Sequence, residues 1–400
     1  MRISATISTT IIHPLSVKFL FAVMLLEIFL GGGGRLIDVG PLSIRMYLFI
    51  LALIISVAEI LNHRTIYTTF AGILIAATVM FLFSSIIGKL NGATTATVLA
   101  DIKPLLTFYG LIFFYFMIRD LNDVDFVVRL LKFCSITLAI LYVGVFVLIN
   151  THILPFALFY SKVTVTQEFF FRGEFAFFYK GFIYMCFGAI FYACEKKALK
   201  APFLLLAVAI ILTFTRGFFV SILLTFLFYH VFIVRNASKL ILFLIATMVA
   251  VMLLWGYYYQ KSLGRSTSDS VRVEQVQEVI ERTTPLSSII GHGYGVGVPS
   301  RPERMEIVYL ELFHKQGIFG LLFWFALALV VWQLYKRALT YGNNSLANAF
   351  MLSVVFVYVE SITNPFLTNP IGLNMVLIAM VCLKVLGGAP REVLPSQSKQ

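Results

Sequence analysis

The stretch APFLLLAVAIILTFTRGFFVSILLTFLFYHVFIV, residues 201–234, is one apolar run apart from Arg216 and His230. It is far too long for a single straight crossing of a bilayer, which takes about 20 residues. An arginine left at the bilayer centre costs at least about 2.5–3.5 kcal/mol on insertion scales. Turning the chain at TFTRGF removes that cost, because Arg216 comes to the membrane surface and Gly217 eases the turn. The stretch reads as two membrane helices joined by a tight hairpin, which sets the pattern for the rest of the chain.

Of the 400 residues, 60% are hydrophobic and 12% charged, against roughly 25% charged in a soluble domain. Runs such as FLFAVMLLEIFL (19–30) and LILFLIATMVAVMLLW (240–255) are apolar on every side, whereas a β-barrel needs short alternating segments. The fold class is therefore all-α: a polytopic integral membrane protein, one transmembrane domain over residues 1–400. Twelve spans are expected, at about 15–31, 45–62, 69–88, 104–119, 127–150, 174–194, 201–215, 217–234, 240–258, 312–335, 347–364 and 371–387. The N-terminus lacks the small-residue cleavage site of a secretory signal, so the first run reads as a retained span. Cys134, Cys186, Cys194 and Cys382 all fall inside apolar runs with no CxxC pair, as buried small hydrophobes do.

The net charge of +12 follows from topology rather than from nucleic-acid binding. With the N-terminus inside, cytoplasmic segments hold Arg64, Arg119, Arg129, Lys132, Lys196, Lys197, Lys200, Arg235, Lys239, Lys336 and Arg337. The short outer loops hold Arg35, Arg45, Lys89, Lys103, Lys162 and Arg172. This excess on one side places both termini in the cytoplasm. Residues 151–173 and 259–304 then face outward, and 388–400 form a disordered cytoplasmic tail. Within the longer loop, SDSVRVEQVQEVIERT puts Val273, Val276 and Ile280 on one helical face, predicting a short amphipathic helix lying on the membrane. GGGG at 31–34 reads as a flexible exit from the first span.

Several chemistries are excluded. The glycines at 291, 293, 295 and 297 do not match G-x-G-x-x-G, and no P-loop lysine follows. DVD at 123–125 falls in a solvated turn, and the histidines are scattered without ligand spacing, so neither a metal site nor a cofactor is expected. What remains is a set of arginines on the outer side: Arg172, Arg216, Arg272, Arg301 and Arg304. Their planar forks suit phosphate oxygens and stay charged near lipid, so together they fit a lipid-linked diphosphate. Lys180 either joins this cluster or extends to the surface alone.

Glu306 lies two residues after Arg304, where a carboxylate can take a proton from a sugar hydroxyl, and a helix there would put Tyr309 one turn above it. Glu311, His314 and Lys315 rank lower, since only one face of a helix lines a site. Glu27, Glu59 and Glu360 sit within or at the ends of spans, where ionisable groups are functional candidates.

Four motifs, in order over roughly residues 120–335, resemble those of the bacterial O-antigen polymerase and O-antigen ligase superfamily. FRGEF (171–175) resembles its outer-loop arginine–glycine motif, and LTFTRGFFVSILL (212–224) its TxSRG turn, with Thr215 where serine is common. SDSVRVEQVQEVIERTTPLSSIIGHGYGV (268–296) is similar to its arginine-bearing helix followed by a proline and a G-x-G-x-G turn. MEIVYLELFHKQGIFGLLFWF (305–325) resembles its closing YLxLxxxxGIxG motif.

The resemblance implies a metal-independent, GT-C-like glycosyltransferase embedded in the bacterial inner membrane. Its substrates would be undecaprenyl-diphosphate-linked repeat units at the periplasmic face, with Arg172, Arg216 and Arg272 as diphosphate contacts. Ligases of the superfamily carry His-Asn where this chain has Glu306 and Ile307, which favours a polymerase over a ligase. A flippase is the reading from another class. It would place charges at the midplane, in related halves, and none match here. The expectation is a surface-polysaccharide polymerase with Glu306, Arg216 and Tyr309 catalytic and Arg172, Arg272, Arg301, Arg304 and Lys180 binding diphosphate or sugar. Its partners would be lipid-linked repeat units, the bilayer and a chain-length regulator protein, without nucleic acid.

Overall fold

The structure, a computed structural model, describes residues 15–36, 38–39, 42–62, 65–172, 176–195, 201–245, 248 and 266–388. Most of the expected span 240–258, the first part of the 259–304 loop and residues 389–400 lie outside the described residues.

The 201–234 run splits as its charge pattern requires. Helix α9 (Ala201–Leu212) ends before a turn, and α10 (Arg216–Phe228) continues as π-turns through Tyr229–Val234. Arg216 is the first residue of α10 and is exposed. Before this pair come α1 (Leu15–Leu30), α2 (Ile44–Leu61), α3 (Thr68–Leu90), α4 (Thr95–Leu105), α5 (Gly110–Met117), α6 (Leu121–Asn150), α7 (Phe156–Val163) and α8 (Ile183–Ala193). After it come α11 (Ser266–Arg282), α12 (Pro285–Ile290), α13 (Val308–Thr340), α14 (Asn344–Glu360) and α15 (Pro370–Leu386).

Among the described residues six helical stretches are long and apolar enough to cross a membrane, and shorter apolar helices accompany them. Small strands interrupt the all-helical expectation. β1 (Asp38–Val39) pairs with β2 (Leu42–Ser43), and β3 (Phe169–Arg172) pairs antiparallel with β4 (Ala176–Tyr179), aligning Phe170 with Phe178. DVD lies in the first turn of α6, where Asp120 and Asp123 form a capping box that satisfies helix-start amides.

The centre is α15, buried without a break from Ile371 to Leu383, as a helix apolar on all sides must be. The perimeter is the reverse: Ile54, Ile75, Val79, Leu82, Leu141 and Phe325 are exposed, an apolar girth suited to lipid. Because the chain runs back and forth, one end of the bundle gathers the ends of α1, α3, α6, α9 and α14 with the starts of α2, α4, α8, α10, α13 and α15. Lys132–Glu195 and the Arg337 Nε–Gly387 O hydrogen bond (3.1 Å) mark the opposite end.

At the first end the GGGG segment is no flexible exit. A Cβ at Gly31, Gly32, Gly33 or Gly34 would strike Glu27, Tyr179, Glu168 or Arg45, respectively. The quartet lets backbone close around Glu168, which is fully buried and accepts hydrogen bonds from Gly33 N (2.7 Å) and Arg35 N (3.3 Å). Glu27, the span-end acid, pairs with Arg45 Nε at 2.5 Å. Gly33→Ala should therefore displace the Glu168 carboxylate and cost about 1–3 kcal/mol by overpacking. Thermal unfolding in detergent should show a lower Tm for it and none for Gly72→Ala, where an added Cβ meets nothing within 4 Å.

Candidate active site

Helix α11 organises the site through its polar face. Arg272, Gln275, Glu278 and Arg282 recur at three- and four-residue spacing, so they share one side of the helix. All four hold the loop that precedes α13. Glu278 accepts from Ser300 N and Oγ (2.6 Å to Oγ), Gln275 Oε1 accepts from Glu306 N (3.1 Å), and Arg282 Nη1 donates to Gly297 O (3.3 Å). Val279 packs beside them on Val298 and Met305. The predicted apolar face points the other way. Val273 and Ile280 are 68% and 67% exposed. With Arg272, Val276 and Ile307 they line an open groove of about 570 Å³.

Arg272 Nε donates to Glu306 Oε2 at 3.0 Å, and Arg301 Nη2 donates to Glu306 Oε1 at 2.8 Å. Arg301 is positioned by the tight turn that pairs it with Val298. Arg272 Nη2 also reaches Thr363 O at 3.5 Å, in the turn after α14. That turn begins at Glu360, which is fully buried and accepts from Ser221 Oγ (2.6 Å) and Asn364 Nδ2 (2.7 Å). A Cβ at Gly217 would strike this carboxylate, so the start of α10, and with it Arg216, is held against the same turn that Arg272 contacts. Glu360 thus gains the partners that the sequence left unnamed.

Arg304 turns to the other side and donates to Ala100 O at 3.0 Å. Beside it, Lys315 is 2% exposed and pairs with Asp101 and Glu311, both at 2.8 Å, while also donating to Glu303 O at 2.7 Å. The second oxygen of Asp101 accepts from Gly295 N at 2.7 Å. Lys180 donates to Gln167 O at 2.8 Å and lies in the electrostatic reach of Glu168, Arg35 and Arg304. It belongs to a second charged group and makes no contact with Glu306.

The glycine-rich turn packs backbone on backbone. Gly317, at φ +65°, breaks α13, and the loop fills the gap: His292 N donates to His314 O (2.8 Å) and Gly293 N to Lys315 O (2.9 Å). Tyr294 N donates to Ser84 O (2.9 Å), and Gly88 has no room for a Cβ beneath the Tyr294 backbone. Burial first, then the nearby Asp101 and Glu311 charges, push the Tyr294 phenol well above its usual range. The ring therefore stays neutral, accepting from Gln316 Nε2 at 2.7 Å.

Of the residues singled out from sequence, Arg272, Arg301 and Glu306 come together, with Arg216 across the Glu360 turn. Two expectations need correction. Helix α13 starts at Val308, so Glu306 sits in the preceding loop rather than on the helix. Tyr309 cannot stand above it, because its hydroxyl donates to Tyr358 O at 2.6 Å between packed helices. The Arg172 backbone ends β3, while its side chain lies outside the described residues. Gln275, Glu278, Asp101 and Glu168 were missed. The regular spacing on α11 could have revealed the first two, but nothing local marks the others.

No family model matches the chain. Compared with known proteins, it is 27% identical over 370 residues to a protein named O-antigen polymerase from Shigella flexneri, an alignment covering 91% of this chain and 94% of the relative. The chain is a distant, full-length homologue of an O-antigen polymerase. The similarity thus extends well beyond the four motifs.

Removing the buried cation should be costly. Lys315→Ala leaves Asp101 and Glu311 buried together without their counter-charge, an expected loss of about 3–5 kcal/mol. A large fall in Tm of the purified protein checks this, and Lys315→Met, which also lacks the charge, should fall comparably.

Proposed function

We propose that this chain is a polymerase of O-antigen or a related surface polysaccharide, moving a growing glycan from undecaprenyl diphosphate onto a new lipid-linked repeat unit. The Arg272–Glu306–Arg301 constellation carries the reading. It places one carboxylate and two guanidiniums at one end of an apolar helical bundle, in a chain related end to end to an O-antigen polymerase. In this reading that end faces the periplasm, both termini are cytoplasmic, and the membrane is the bacterial inner one.

The residues divide the chemistry. The acceptor sugar hydroxyl gives its proton to Glu306, and its oxygen bonds to the anomeric carbon of the donor. The bond from that carbon to the diphosphate oxygen breaks, and the electron pair leaves with undecaprenyl diphosphate. Arg272, Arg301 and Arg216 meet the charge that develops there, a large term when the donors are already in place. Arginine supplies it without a metal ion. Lys180 and Arg304, with Arg172, bind the glycan or headgroup nearby. A chain-length regulator protein fits as a partner.

Glu306 in place of the ligase His-Asn pair supports polymerisation over ligation, and the crowding of these charges at one end supports an enzyme over a flippase. Purified protein given a polyprenyl-diphosphate repeat unit alone should lengthen chains; product that forms only when a lipid core acceptor is added would make it a ligase. Arg216→Ala and Glu306→Gln should each lower extension by at least about 10²-fold, with insertion into the membrane unchanged. Tyr309→Phe, losing one structural hydrogen bond, should cost about 1 kcal/mol of stability and leave extension intact.

A further inference from the structure

Glu306 has two assignments that its geometry does not serve at once. As a base it must present an oxygen to the acceptor hydroxyl. In the structure, each oxygen is turned to a guanidinium, Oε2 to Arg272 and Oε1 to Arg301. The arginines are engaged in the same way, since the groups meant for the diphosphate are holding a carboxylate instead. A carboxylate bridging two arginines presents much the same pair of oxygens as a phosphate. Arg272 comes from α11 and Arg301 from the turn at 298–301, so their charges converge from separate segments and this carboxylate bridges them.

We infer that Glu306 is a built-in occupant of the donor's diphosphate seat. Resting on the function proposed above, the inference orders the reaction. The arriving diphosphate, with its greater negative charge, takes over Arg272 and Arg301 and thereby frees Glu306 to accept the hydroxyl proton. The base is unmasked only when the leaving group is seated, so the acceptor is not activated before there is a donor to attack.

The surroundings suit such an exchange. Glu306 is 26% exposed and Arg301 43%, so an incoming anion reaches both. Glu306 lies in the non-helical residues just ahead of α13, and its side chain can swing without moving a helix. Its backbone stays pinned by Gln275 Oε1. Among the described residues the Nε2 of the same buried amide has no hydrogen-bond partner, a spare donor on the side chain that holds the Glu306 backbone. Arg272 keeps its bond to Thr363 O throughout.

An internal occupant weakens apparent affinity, because the intrinsic Kd is divided by the fraction of time that the seat stands empty. Removing its charge should therefore tighten binding while abolishing turnover, the opposite of what loss of an ordinary contact does. Undecaprenyl diphosphate, offered without any acceptor, is the probe, with full-length protein in detergent. Glu306→Gln and Glu306→Ala should bind it at least about tenfold more tightly than wild type, given the strength of close charge pairs. In the unaltered protein, carbodiimide labelling of Glu306, read by mass spectrometry, should rise when the probe binds.

Equal or weaker binding by the folded variants overturns the inference, as does labelling of Glu306 that stays level or falls. The labelling arm needs no variant and decides the matter even if neither substitution folds. Undetectable binding by every form, wild type included, overturns both this inference and the function beneath it. Binding in the wrong order overturns this inference alone.

Discussion

Two hydrogen bonds, from the amides of His292 and Gly293 to the carbonyls of His314 and Lys315, tie the site to the bundle. They exist because α13 is interrupted at Gly317, which leaves carbonyls facing no amide of their own helix. Buried backbone groups need partners, and here a loop from the preceding segment supplies them. Once that loop is seated, Arg282 and Glu278 hold it from α11, and the residues that follow deliver Arg301 and Glu306 to Arg272. The glycines are what make this possible. At Gly88, Gly291, Gly293 and Gly317 backbone approaches backbone where a side chain would not fit.

Charge is used in two distinct ways at this end. Lys315, Asp101 and Glu311 are deeply buried, and their ion pairs join α4 to α13. Such an arrangement contributes little net stability relative to apolar packing, but breaking it is expensive. The Arg272–Glu306–Arg301 set is partly exposed and spans loop and helix. There solvent screens the charges and the partners can exchange. The first set fixes geometry, and the second is free to rearrange within it.

Much of the fold was legible because lipid imposes simple constraints. The cost of a mid-bilayer arginine located the turn at Arg216, and apolar runs located the helices around it. At α11 the pattern was legible in part: Val273 and Ile280 share one face, which is exposed, while the contacts are carried by the polar face, whose partners the pattern does not name. The GGGG segment misled, since glycine signals both freedom and close packing, and only the distant Glu168 and Tyr179 decide which. Glu306 and its arginines were legible by charge and by family resemblance. Asp101 and Glu168 were not, because their partners lie far along the chain.

That distance has a consequence for how the protein is made. Asp101 pairs with Lys315 across 214 positions and with Gly295 across 194, and Asn91 reaches His292 across 201. At about 5–20 residues per second, the ribosome needs roughly 10–40 s to supply what the early helices are waiting for. During that interval Asp101 waits with these protein partners not yet synthesised. This end of the bundle therefore cannot close until α13 has been made, and a chain stopped short of α13 would keep Arg272, Arg301 and Glu306 yet leave Asp101 without Lys315 and the 292–293 loop without the carbonyls it bonds.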